Sequence, residues 1–139
     1  MKITEIRFGM LRVPLKTAFK TALRTVEQVE DVVVMIHTDT GHVGYGSAPA
    51  TAVITGDTHG SIMHAIRHYI APRLVGQEIA NLNRITHAVQ ASMEKNTSAK
   101  AAVEIAVAAV AAAVTVAAAI LAAAVVTVAA VPVGHANVK

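Results

Sequence analysis

Residues 29–46, VEDVVVMIHTDTGHVGYG, decide the fold. The run from Val29 to Asp39 is apolar, β-branched and of strand length. Asp39–His42 is a turn signal, with Gly41 free to take a positive φ. Residues 42–46 then return as a second strand. Upstream, KITEIRFGMLRV (2–13) alternates with period two and puts Ile6, Phe8 and Met10 on one side. Pro14 is expected to end that strand, because proline cannot donate to a ladder. Residues 15–28 then read as a long connection. The pattern predicts a three-stranded antiparallel meander.

Helical spacing begins after the loop at 48–56. Asp57 is a candidate N-cap for THGSIMHAIRHYI, with Ile62, Ile66, Tyr69 and Ile70 on one face and His64, Arg67 and His68 opposite. Pro72 is expected just past the end of that helix. NLNRITHAVQASM repeats Leu82, Ile85, Val89 and Met93 at three-and-four spacing. Thr97 or Ser98 caps a third helix. The sequence therefore predicts an α+β fold: a three-stranded meander followed by a helical bundle.

Composition changes sharply near residue 100. Residues 101–131 hold 16 Ala and 9 Val with one charge, Glu104. Val103, Val107, Val110, Val114, Leu121, Val125 and Val128 keep a helical stripe, with Ala117 in the gap. If 99–131 were all helix it would run about 50 Å. We divide the chain into 1–107 and an Ala/Val-rich helical tail, 108–139. The origin of the tail stays open: a helical partner added to the domain, out-of-frame sequence, mis-recorded barrel sequence, or a membrane span. The 27 uncharged residues from Ile105 to Val131 are long enough to span. Alanine is only weakly apolar, and no aromatic belt or basic flank follows, which argues against the membrane. Self-association through the C-terminal helices is the expected way to bury the stripe.

Net charge is +3, from 12 basic and 9 acidic residues. That charge is unclustered, and the aromatics are only Phe8, Phe19, Tyr45 and Tyr69, which speaks against nucleic-acid binding. There is no cysteine, so no disulfide framework or thiolate metal site forms, and a reducing, cytoplasmic compartment fits. The N-terminus lacks the unbroken apolar core of a signal peptide.

Catalytic patterns are missing. His64 and His68 have metal-ligand spacing, but no third ligand is evident, and two solvated surface histidines are the simpler reading. GHVGYG sits in a hairpin and opens no helix, so it is no phosphate loop. No nucleophile elbow or carboxylate pair is evident. Lys16, Lys20 and Arg24 stand four apart, a basic stripe only if the segment is helical. Pro14 and Thr17, Thr21 and Thr25 argue against a helix, leaving a solvated loop or a specific role for one cation.

Four segments in order carry a resemblance: the loop FKTALRTV (19–26), the glycine-rich GYGSAP (44–49) after the hairpin, ITGD (54–57), and SAKAAVE (98–104) opening the third helix. Over residues 1 to about 107 the chain resembles the N-terminal capping domain of the enolase superfamily. The similarity is to the dipeptide epimerases, the L-Ala-D/L-Glu branch of the muconate-lactonizing-enzyme subgroup. The resemblance implies a lid over a (β/α) barrel that holds Mg2+ on carboxylates and carries a lysine on each face of the substrate. One lysine removes the α-proton and the other returns a proton. It also implies that Arg24 pairs with the acidic side chain of a dipeptide, that Phe19 packs over the substrate, and that Ile54 adds apolar cover. Lys16 and Lys20 are then solvated neighbours. The barrel, every catalytic residue and every metal ligand are expected to lie outside this chain, which should bind no Mg2+ itself. Ser47 departs from the glutamate usual after the last strand glycine, removing a charge near the lid–barrel junction.

Overall fold

The computed structural model describes residues 1–129, with side chains described to residue 116. Ala117, Leu121, Val125 and Val128 of the expected stripe therefore lie outside the described side chains. The chain builds one sheet and then helices: β1 (Ile3–Lys20), β2 (Thr25–Thr38), β3 (Val43–Pro49), α1 (His59–Ala65), a π-helical turn (Ile66–Ile70), α2 (Ala71–Leu74), α3 (Leu82–Gln90) and α4 (Thr97–Ala129). The sheet is antiparallel with order β1-β2-β3, so the apolar run lies in the central strand.

Period-two alternation sets the register. Val32, Val34 and Ile36 are fully buried on the helix-facing side, opposite Met10, Phe8 and Ile6 of β1. Across the other ladder Ala48, Gly46 and Gly44 face the same three residues. The β2–β3 turn closes with the Thr38 N–H on His42 O at 3.1 Å, and Gly41 takes φ +81. Ile62, Ile66, Ile70, Leu74, Ile85, Val89, Val103, Val107 and Val110 complete the core from the helices.

Pro14 does not end β1, and residues 15–28 are not a connection. The first two strands continue past the core as a two-stranded arm that pairs again at Phe19↔Val26 and Lys20↔Thr25. β1 is an edge strand, where a missing N–H is tolerated. The proline leaves its mark as an irregularity: residues 15–18 stand against Glu27 alone.

The helix starts also differ from expectation. Thr58, not Asp57, caps α1: its side chain accepts the Ser61 N–H, and the Ser61 hydroxyl accepts the Thr58 N–H at 2.9 Å. Asp57 turns inward and caps α4, its Oδ2 accepting the Ser98 N–H at 3.2 Å. Neither Thr97 nor Ser98 serves as that cap.

Pro72 sits inside the helical run, not beyond it. The preceding π turn widens the backbone, and the Ala71 N–H reaches back to Ile66 O. That turn relieves the clash an interior proline would cause in an α-helix. It also shifts the helical phase, so Leu74 joins Ile66 and Ile70 in the core while Tyr69, expected inside, is 45% exposed.

α4 packs along β3 and β2. Ala102, Val103, Ala106, Val107 and Val110 are buried there, while Ile105 and Val116 are more than half exposed. This helix is long and apolar enough to cross a membrane, but its buried face is the core of the domain.

Candidate substrate-facing cleft

β2 outruns β3. The β2–β3 ladder stops at Asp31↔Pro49, while β2 extends back to Thr25. The Thr38 N–H points toward β3, and backbone groups alternate sides along a strand, so Glu30 directs its own to that same edge, beyond the end of the β2–β3 ladder. An open cleft of about 760 Å3 lies there, lined by Pro14, Arg24, the β2 segment from Thr25 to Asp31, Pro49, Ala50 and His59.

The turn Thr21–Arg24 closes the arm and carries the guanidinium. The Thr21 N–H donates to Arg24 O at 2.8 Å, and the Thr21 hydroxyl donates to the same oxygen at 3.1 Å. That hydroxyl also accepts the Arg24 N–H at 3.1 Å. Arg24 is half-buried and takes no part in the ion pairs among the described residues. Glu30, a carboxylate of the same cleft, is already engaged by Arg12 at 3.4 Å and by the Gln28 amide at 2.8 Å. Glu27 and Asp31 also line the cleft, so its positive end is the turn.

At the other wall, His59 opens α1 and its Nε2–H donates to Glu30 O at 2.9 Å. A carbonyl can only accept, which assigns the proton to Nε2. His59 and Glu30 join the second loop to the arm, and sequence reasoning named neither. Only a histidine directly after a helix cap hinted at such a tie.

Of the residues singled out from the sequence, Arg24 lines the cleft. Phe19 pairs with Val26 in the arm and is 61% exposed. Ile54 is 60% exposed on the turn Thr51–Gly56, whose Ile54 and Thr55 N–H groups both reach Thr51 O at 2.8 Å. Neither Phe19 nor Ile54 is among the cleft-lining residues. Lys16 and Lys20 are exposed on β1, at and beyond the irregularity of residues 15–18. Ser47 is exposed opposite Val33.

The described residues offer no group of three His, Asp or Glu placed to hold a metal. His64 and His68 stack with ring centroids 4.4 Å apart on the exposed face of α1 and its π turn. Magnesium therefore has no fitting donor set among the described residues.

A meander followed by helices, with a two-stranded arm and a second loop flanking one cleft, defines a capping-domain architecture of the enolase superfamily. The chain belongs to the mandelate racemase / muconate lactonizing enzyme N-terminal domain family, whose model matches residues 3–122. It is 50% identical over 107 residues to the L-Ala-D/L-Glu epimerase of Bacillus subtilis (strain 168), covering 77% of this chain and 29% of that protein. The L-Ala-D/L-Glu epimerase of Clostridium acetobutylicum is likewise 50% identical over 107 residues, covering 77% and 30%. The substrate-liganded B. subtilis epimerase superposes with TM-score 0.74 over 76% of this chain and 30% of that one. A dipeptide epimerase from Enterococcus faecalis V583, complexed with Mg and L-Leu-L-Tyr, superposes with TM-score 0.71 at 30% identity, over 77% and 30%. The chain thus spans about 30% of the length of these relatives.

Proposed function

We propose that this chain is the substrate-specificity lid of a Mg2+-dependent dipeptide epimerase acting by 1,1-proton transfer at the α-carbon. It contributes recognition, while a (β/α) barrel partner domain supplies the lysines and the metal-binding carboxylates. Residues 1–107 form the lid, and 108–139 are an Ala/Val-rich tail. The setting is the cytoplasm.

The observation that carries this reading is the Arg24 guanidinium at the positive end of the cleft, outside the ion pairs among the described residues, in a chain 50% identical over 107 residues to an L-Ala-D/L-Glu epimerase. A guanidinium stays charged and grips a carboxylate with two parallel bonds, so the substrate is a dipeptide with an acidic side chain. Phe19 and Ile54, both exposed, supply apolar cover when the arm and the Thr51–Gly56 turn meet the barrel mouth.

The test is a chimera joining this lid to the barrel portion of the B. subtilis epimerase, assayed by α-proton exchange in D2O. The chimera is expected to epimerise L-Ala-L-Glu. Arg24→Ala should lower its kcat/KM by roughly 10- to 150-fold, the worth of a hydrogen bond to a charged group. Exchange by the 139-residue chain alone, or a folded chimera indifferent to Arg24→Ala, sinks the reading.

A second reading rests on α4. Ile105 and Val116 are 54% and 57% exposed, and the helix runs on without a charge from Ile105 to Ala129. A fragmentary or designed self-associating module, without enzymatic activity, would assemble through this helix. Its assembly would survive Arg24→Ala and fail on Val114→Glu, measured by sedimentation.

A further inference from the structure

We infer that Thr21 is a positioning residue for Arg24 and, through it, a determinant of selectivity for acidic ligands. This inference rests on the lid reading. Three contacts join the two ends of the turn, and a fourth ties Leu23 to the same hydroxyl. The Thr21 hydroxyl accepts from the Arg24 N–H at 3.1 Å and from the Leu23 N–H at 3.4 Å, and it donates to Arg24 O at 3.1 Å. The Thr21 N–H donates to the same Arg24 oxygen at 2.8 Å. Both backbone polar groups of Arg24 are thus held by one residue.

The consequences differ for the turn and for the domain. Turn and arm residues 17–23 are exposed, so water replaces these bonds at little cost to the core. The N–H groups of Leu23 and Arg24 are consumed internally, and the guanidinium is the charged donor that the turn offers an anion. A long side chain on a disordered turn loses more freedom on binding than one leaving a fixed Cα. Thr21 supplies that fixed point. Serine keeps the hydroxyl, and valine keeps the shape without it.

The experiment is an NMR titration of the 15N-labelled 139-residue chain with L-Ala-L-Glu, and with L-Ala-L-Gln as the uncharged probe. Thr21→Val is expected to weaken L-Ala-L-Glu binding about 3- to 10-fold, the equivalent of one net hydrogen bond. Thr21→Ser should bind as wild type does. Both should keep the wild-type Tm, and L-Ala-L-Gln binding should not change. In an Arg24→Ala background Thr21→Val should add nothing, and the Arg24 amide should exchange faster in Thr21→Val. The inference is overturned if Thr21→Val binds L-Ala-L-Glu as wild type does, if Thr21→Ser fails to rescue, or if the loss persists without Arg24. If wild type does not prefer L-Ala-L-Glu to L-Ala-L-Gln, or Arg24→Ala leaves that preference intact, the acidic-dipeptide reading itself falls and this inference with it.

Discussion

Gly46 of β3 and Ala102 of α4 meet backbone to backbone. A Cβ built on Gly46 would strike the Ala102 carbonyl, and one on Gly44 would strike that of Ala106 one turn on. Two glycines on the strand and an alanine face on the helix therefore seat the helix on the sheet. Gly46→Ala is expected to destabilise the domain by about 1–3 kcal/mol, since neither backbone can yield without moving its whole element. Tyr45→Ala, on the opposite and exposed face, should change Tm far less. Thermal unfolding of the two variants checks the contrast.

Asp57 links the second loop to the start of α4. Its carboxylate accepts the Ser98 N–H, and the negative charge lies at the positive end of the helix dipole. Asp57→Ala should cost about 0.5–2 kcal/mol, and Asp57→Asn less, because the amide oxygen still accepts. Urea titration of both variants decides whether the cap or the charge matters more.

Lys100 is buried, and its Nζ donates to Gln90 O at 3.0 Å and to Met93 O. It thereby satisfies carbonyls at and beyond the end of α3. Lys100→Met keeps the volume but strands those carbonyls, at about 1–3 kcal/mol. A Tm of the variant equal to wild type would show that water takes over both acceptors.

The amino terminus gives the pH dependence a sign. The Met1 ammonium bonds Glu78 at 2.9 Å, and that hydrogen bond raises its pKa above the ordinary 8.0. The stabilisation is fully present below pH 8.0 and is lost as pH rises through the folded value. On the acid side, the Arg7 hydrogen bond holds Glu5 below its ordinary 4.5, so that contribution fades as pH falls through the lowered value. Both pairs are exposed, so both effects are small. Glu78→Gln should flatten the alkaline decline in Tm between pH 8 and 10; an unchanged slope would assign that decline to other groups.

Much of this fold was legible locally. The β-branched run of β2, the turn at Gly41 and the alternation of Ile6, Phe8 and Met10 encode strands because burial on one face has period two. Ile85, Val89, Val103, Val107 and Val110 encode helices because burial on one side has period 3.6. The order of those segments also carried the family, and Arg24 stood out within its loop.

Other features depended on contacts remote in sequence. Pro14 ended nothing, because β1 lies at the edge of the sheet, and edge position is a property of pairing. Asp57 capped a helix beginning 40 residues later rather than the one beside it, because the tertiary fold brought the Ser98 N–H within reach. Tyr69 left the core because a π turn upstream of Pro72 shifted the helical phase by part of a turn. The cleft exists because β3 ends at Pro49 while β2 continues, a difference of strand lengths that no single segment records. Local periodicity set which residues are strand, helix and core; three-dimensional packing set which ends meet, and so where the cleft lies and what Arg24 faces.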